Sequence, residues 1–256
     1  SYAEKYAKKY EKPYLIEVTG FEFESDWYHS LKVKLVAFFR ERSAKKMLQQ
    51  AKFAMYVTNE ALQKRYPCGG EFIGCSDVEI VVEQDVLEKR FKKIRDNRFI
   101  TIGTSAALDV GWKGQINVLN ALALMRPEER SKYRYKLIGG GDPSILRKLS
   151  EELGIQDIVE VIGTIPHNQV YDWFDEIDLY IQSSYMEGLC RSIVEAMSRG
   201  CPVICSNVGG NYELVGKDYL FKPGDTSKLL DLIRECSSKD MQLIMAEENY
   251  KTAKNY

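Results

Sequence analysis

From Arg98 onward, short apolar runs alternate with segments whose apolar residues recur at helical spacing. The runs Phe99–Gly103, Tyr133–Gly139, Val159–Gly163, Leu179–Gln182, Pro202–Cys205 and Tyr219–Phe221 read as strands. Between them, Gln115–Met125, Ile145–Leu153, Asn168–Phe174 and the stretch carrying Ile193, Val194, Ala196 and Met197 read as helices, with more helix from Ser227 onward. Strand–helix alternation with connections of this length specifies a parallel sheet with helices on both faces, because parallel neighbours need a crossover. Ligands of such sheets bind at the carboxyl ends of the strands, where the glycine-bearing loops of this chain fall.

Before Arg98 the elements are sparser. Residues 2–11 read as a short helix ended by Pro13, and Tyr14–Thr19 as a strand closed by Gly20. Residues 26–52 form a long helical stretch in which Leu31, Leu35, Phe38 and Phe39 supply an apolar stripe, extended by Met47, Leu48 and Ala51. Lys32, Lys34, Arg40, Arg42, Lys45 and Lys46 occupy another face, which suits either solvent or an anionic membrane surface. Phe53–Val57 is a second strand, and Thr58-Asn59-Glu60 caps a helix Ala61–Arg65 that ends before Pro67. Glu71–Ser76 and Val78–Val82 are short extended pieces. Residues 83–97 are highly charged with sparse apolar positions, as expected of a connector. The expected boundary therefore lies near residue 95, between domains 1–95 and 96–256.

Composition narrows the function class. The 256 residues carry a formal net charge of −1, which gives no reason to expect a nucleic-acid partner. Six cysteines without a C-x-x-C pair, and only His29 and His167, make a zinc site improbable and suit a reducing compartment. No apolar run reaches the length of a membrane span, and Ser1-Tyr-Ala-Glu-Lys is no signal peptide. The expected location is the cytoplasm, with the inner face of the membrane as the place of any lipid contact.

The richest stretch is Tyr185–Ile204. It follows the apolar run Asp178–Gln182, turns at Glu187-Gly188 into a helix, stops at Gly200 and enters the strand at Pro202. Glu187 and Glu195 frame the turn and the first helical turns. A helical rise over eight residues puts them up to ~12 Å apart, long for two carboxylates sharing one glycosidic bond. The spacing suits two acids at opposite ends of an extended ligand, with a helix N-terminus between them offering N–H groups to an anion. A sugar joined to a nucleotide through a pyrophosphate has that layout.

The string Glu187-Gly-Leu-Cys-Arg-Ser-Ile-Val-Glu-Ala-Met-Ser-Arg-Gly-Cys-Pro-Val-Ile204, followed by Val208-Gly-Gly-x-x-Glu213, resembles retaining GT-B glycosyltransferases of family 4 (glycosyl transferases group 1), in particular bacterial members that build surface polysaccharides. The resemblance runs from about Lys12 to the end. It implies two Rossmann-like domains, with 96–256 as the donor domain and 1–95 as part of the acceptor-side domain. It implies transfer, with retention, of a sugar from a nucleotide-diphosphate sugar to a saccharide or lipid-linked saccharide acceptor, without a metal or other cofactor. Glu187 would lie by the transferred sugar as a catalytic residue, holding its hydroxyls or supporting an oxocarbenium-like transition state, and Glu195 would accept hydrogen bonds from the ribose. Lys113, the amides of Gly188, Leu189 and Cys190, and Arg191 would hold the diphosphate.

Two departures from the family pattern matter. Thr104 stands where the family usually has a phosphate-binding Arg, so Arg191 is the candidate substitute. Gly20 stands where many members carry a catalytic-site His. Gly139-Gly-Gly-Asp142 and Gly163-Thr-Ile-Pro-His167 resemble family loops near the nucleotide, and His167 reads as a loop residue. Two other functions stay open: a nucleotide-sugar-binding fragment that transfers nothing, and a GT-B-shaped nucleotide-sugar epimerase.

Overall fold

The computed structural model describes residues 2–23, 31–81, 83 and 85–256, and the side chains of that set apart from those of residues 2 and 31–35. Contacts divide the chain into two compact units, Ser1–Asp77 with Glu187–Leu189, and Val78–Met186 with Cys190–Tyr256.

The first unit holds a parallel sheet of β1 (Ile16–Val18), β2 (Phe53–Tyr56) and β3 (Glu71–Gly74), in that order. Val18 pairs with Tyr56, and Tyr56 with Gly74. Beneath this register the buried Tyr56 hydroxyl donates to the Tyr66 carbonyl at 2.5 Å, and the Tyr66 hydroxyl donates to Glu41 Oε2 at 2.5 Å. The helix Ala61–Arg65 is capped from Thr58, whose Oγ1 accepts the Leu62 N–H at 3.0 Å.

Helix Leu31–Gln49 turns a different face inward than its apolar residues suggest. Ala37, Glu41 and Leu48 are buried, while Phe38 and Phe39 are 61% and 70% exposed. The cause is Glu41. Its carboxylate meets Tyr66, Lys45 and Arg65, and seating it turns Phe38 and Phe39 outward. Residues 26–30 of the expected helix, and the side chains of Leu31, Lys32, Lys34 and Leu35, lie outside the described set. Of the expected extended piece Val78–Val82, residues 78–81 join no sheet, and residue 82 lies outside the described residues.

The second unit is a six-stranded, all-parallel sheet of β4 (Ile100–Ser105), β5 (Tyr133–Ile138), β6 (Val159–Gly163), β7 (Leu179–Gln182), β8 (Val203–Ser206) and β9 (Leu220–Phe221). Its order is β6-β5-β4-β7-β8-β9, the doubly wound arrangement, with the strand order reversing between the parallel neighbours β4 and β7. Every residue of β7 and β8 is buried, as parallel strands covered on both faces require. Val118, Leu119 and Leu122 of helix Gln115–Ala123 and Leu229, Leu232 and Ile233 of helix Thr226–Cys236 pack with Ile102, Leu137, Leu179, Ile181 and Ile204 of the strands. Tyr180 alternates away from Leu179 and Ile181, and its ring meets Phe174 edge-on at 5.6 Å.

The second unit begins at Val78, ahead of the expected boundary near residue 95. The charged stretch expected to be a connector contains the helix Val86–Asp96, which buries Val86, Arg90 and Ile94 at i, i+4 spacing. Arg90 makes the difference. Its guanidinium donates to the carbonyls of Arg199 at 3.0 Å, Phe174 at 2.9 Å and Ile177. Lys93 and Asn97 donate to the buried Asp178, whose other oxygen accepts the Thr101 N–H at 2.8 Å. Removing the guanidinium takes a donor from each of three buried carbonyls, so Arg90→Ala should destabilise the protein by about 2–4 kcal/mol in a denaturant melt. Lys89→Ala, exposed one residue earlier, should change it by under about 0.5 kcal/mol. Equal midpoints for the two variants would refute this account of the helix.

Candidate functional site

The carboxyl ends of the second unit's strands are drawn together by close backbone approaches. The loop after β4 ends in a short 3-10 turn, Gly111–Lys113, and Gly114 then opens helix Gln115–Ala123 with φ 73°. A Cβ on Gly114 would stand 2.0 Å from the Ser183 carbonyl oxygen, and the Ser183 hydroxyl donates to the Gly114 carbonyl at 2.6 Å. Glycine is required there for both its left-handed backbone and its lack of a side chain. The Tyr185 N–H donates to the Trp112 carbonyl at 2.7 Å, and the Tyr185 hydroxyl to Asn117 Oδ1 at 3.1 Å. The loops after β4 and β7 are therefore joined at the point where the strand order reverses.

The other glycine turn is tied into the same end. Gly139 N–H donates to the Gly163 carbonyl at 2.9 Å, and Leu108 N–H to the Gly140 carbonyl at 2.8 Å. A Cβ on Gly141, at φ 100°, would stand 2.2 Å from Asp109 Oδ1. Gly139–Gly141 thus acts first as a seam between loops. On the far side, the Ser206 hydroxyl donates to the Ser184 carbonyl at 2.5 Å, and Asn211 Nδ2 to the Ser206 carbonyl at 3.1 Å.

Helix Arg191–Ser198 starts four residues after Glu187, so a helical rise does not describe the whole Glu187–Glu195 interval. Its N-cap residue, Cys190, makes no side-chain capping bond, and its carbonyl accepts the Ile193 N–H at 3.1 Å. Glu195 lies on the second turn, half-buried. Burial raises its carboxyl above the ordinary glutamate range, opposed by the charges of Arg191, one turn back, and His167. Lys113-Gly114, Cys190, Arg191, Glu195 and His167 thus belong to one unit. Glu187, Gly188 and Leu189 group with the first unit, where a Cβ on Gly188 would fall 2.0 Å from the Thr19 carbonyl oxygen.

Thr104 is fully buried; its hydroxyl donates to the Ile181 carbonyl at 2.7 Å and accepts from Tyr135 at 3.0 Å. It is a sheet residue. Among the described residues, no group of three or more His, Cys, Asp or Glu side chains is placed to hold a metal ion. Polar residues of β7 and beyond, which motif spacing does not single out, also reach this end: Tyr180, Gln182 and Ser184, linked to Ser192. The available signal was polar side chains in a strand bordered by buried runs.

An all-parallel doubly wound sheet, with its loops joined at the switch point, is an arrangement common to many nucleotide-binding α/β domains, one half of a GT-B fold among them. The chain belongs to the glycosyl transferases group 1 family, whose model matches residues 85–255. It is 35% identical over 253 residues to Protein CapJ of Staphylococcus aureus, covering 97% of this chain and 63% of CapJ. It therefore spans less than two thirds of that relative. Identity to CapH of the same organism, a capsular polysaccharide biosynthesis glycosyltransferase, is 25% over 167 residues, covering 64% of this chain and 44% of CapH. Anabaena HepE, solved with UDP and glucose, matches in fold with a TM-score of 0.72 at 20% identity, covering 97% of this chain and 68% of that one.

The raised Glu195 pKa carries a sign that can be measured. A carboxyl whose proton is held more tightly in the folded state adds stability below the ordinary glutamate pKa of about 4.3, and that stability is lost as pH rises through the folded value. Glu195→Gln removes this titration. The melting temperature of the variant relative to the parent should rise between pH 4 and pH 7; a flat or falling difference would contradict the burial of this carboxyl.

Proposed function

We propose that this chain is the donor-binding part of a family 4 retaining glycosyltransferase. The reaction transfers a sugar from a nucleotide-diphosphate sugar to a saccharide or lipid-linked saccharide acceptor, in bacterial cell-surface polysaccharide assembly. The observation that carries the reading is the Gly114–Ser183 junction at the switch point, in the same unit as the helix bearing Glu195. In this reading Glu195 accepts hydrogen bonds from the ribose. The diphosphate is neutralised by Lys113, Arg191 and the amides of Gly188, Leu189 and Cys190, without a metal. Glu187 acts at the transferred sugar. HepE holds UDP and glucose, which makes UDP-sugars the first donors to try.

The test is a thermal-shift panel of UDP-, GDP-, ADP- and TDP-sugars, since a ligand bound only by the folded state raises its stability. One donor class should raise the melting temperature, and Glu195→Ala should weaken that donor by about 1–3 kcal/mol. No shift with any donor would sink the proposal. In the whole protein, Glu187→Ala should lower turnover more than donor affinity, and EDTA should leave turnover intact. A second reading, binding without transfer, is favoured by Thr104 and Gly20, which replace two residues the resemblance leads one to expect. It predicts a donor-induced shift with no release of free nucleotide when an acceptor is supplied.

We place the protein in the cytoplasm, against the inner face of the membrane. The support is the exposed Phe38–Phe39 pair, followed along the helix by Arg40, Arg42 and Lys46, all exposed. Among the described residues no helix is long and apolar enough to cross a membrane. Phe38→Ser with Phe39→Ser should cut cosedimentation with phosphatidylglycerol vesicles by roughly tenfold. Undiminished binding by the double variant would remove this surface from consideration.

A further inference from the structure

A strand buried on both faces has no need of oxygen-bearing side chains, yet β7 and the two residues after it read Leu179-Tyr-Ile-Gln-Ser-Ser184, with Tyr180, Gln182, Ser183 and Ser184 all fully buried. The Tyr180 phenol lies 2.8 Å from Gln182 Oε1 and 2.8 Å from Ser192 Oγ, and accepts the Ser105 N–H at 3.3 Å. Gln182 Nε2 donates onward to Ser184 Oγ at 2.7 Å. One hydroxyl thus links the last residue of β4, its own strand, and the second residue of helix Arg191–Ser198. With a single proton, the phenol donates to the Gln182 oxygen, which can only accept, and shares the other contact with the Ser192 hydroxyl, which can donate. Burial keeps the phenol protonated far above its ordinary range, so the link persists across all working pH.

We infer that Tyr180 is a positioning residue: it fixes the first turn of helix Arg191–Ser198, and with it the N–H groups of Arg191 and Ser192, as the seat for the diphosphate of a nucleoside-diphosphate ligand. The inference rests on the donor reading above. Ring packing alone does not account for the tyrosine, because phenylalanine would present the same edge to Phe174. Ser192 supplies the second reason. A serine in the first turn of a helix tends to bond local backbone groups, which would occupy the end of the helix. Held by Tyr180 at 2.8 Å, with the Cys190 thiol 3.3 Å away, its hydroxyl meets side chains instead of the backbone N–H groups of the first turn. The network also crosses the switch point, so the seat is registered against the Lys113-Gly114 loop through the neighbouring Gly114–Ser183 contact.

The test compares the nucleoside diphosphate selected by the donor panel with its parent nucleoside, in wild type, Tyr180→Phe and Ser192→Ala. Tyr180→Phe should weaken the diphosphate about tenfold and leave the nucleoside unchanged. Without nucleotide, it should speed hydrogen exchange at the amides of residues 191–193. Ser192→Ala removes the same contact from the helix side and should give the same selective loss, which keeps the test available if Tyr180→Phe folds poorly. The inference is overturned by unchanged diphosphate affinity in both variants, by equal losses for nucleoside and diphosphate, or by unchanged amide exchange. A wild type that binds no nucleoside diphosphate overturns the donor reading and the diphosphate seat with it. Exchange is read without nucleotide, so it distinguishes that failure from a helix that Tyr180 does not hold.

Discussion

The approach of the Gly114 α-carbon to the Ser183 carbonyl is the constraint on which the second unit's ligand end depends. Two backbones can meet this closely only where one residue lacks a Cβ and can adopt a left-handed conformation. Once they meet, the Gly111–Lys113 turn, the start of helix Gln115–Ala123 and the loop Ser183–Tyr185 share a single arrangement. The Tyr185–Trp112 and Ser183–Gly114 hydrogen bonds follow from that contact. Lys113 is carried by the same turn, so its place at the switch point is set by backbone packing.

Below these loops the sheet is unusually polar for a strand with no exposed face. Each buried hydroxyl or amide costs about 1–3 kcal/mol if left unpaired. Gln182, Ser184, Ser206 and Asn211 therefore resist any loop movement that does not re-pair several groups together. That is a physical route to preorganisation: the polar floor adds little net stability when satisfied, yet penalises alternatives steeply. Helix Leu31–Gln49 in the first unit uses a buried charge the same way. Glu41 selects the inward face and leaves Phe38 and Phe39 outside, at the expense of apolar burial.

Alternation of period was enough to read the doubly wound sheet from sequence, because buried parallel strands are short, apolar and glycine-bounded. β6 and β7 have the limits their apolar runs indicate, and the stop at Gly200 is real, with φ 60°. The failures share one cause. Helix Val86–Asp96 looks like a connector, Phe38 and Phe39 look like core, and β7 looks merely apolar, because in each case a buried polar group decides the packing. Arg90, Glu41 and Tyr180 are buried for the partners the fold supplies, mostly from distant parts of the chain, and spacing within a local window does not reveal those partners. The turn at Glu187-Gly188 precedes helix Arg191–Ser198 as its sequence indicates, and Glu187-Gly188-Leu189 groups with the first unit, so the Glu187–Glu195 interval is only partly helical.

Thr104 shows how the polar floor constrains the chemistry above it. Its hydroxyl joins the Ile181 carbonyl to Tyr135 inside the sheet, at a position with no exposed surface. An arginine there would have to displace the Tyr135 hydroxyl or leave its own guanidinium buried, and a buried cation needs partners that β4 and β5 do not offer. A cation at residue 104 is thus excluded by the packing of this sheet. On the donor reading, positive charge for a diphosphate falls to Lys113, to Arg191 and to the N-terminal amides of helix Arg191–Ser198. Arg191 also faces Glu195 one turn along, where its charge opposes the effect of burial on that carboxyl. Drawing Arg191 toward a diphosphate would strengthen the hold of Glu195 on its proton, which couples the two ends of the ligand through one helical turn.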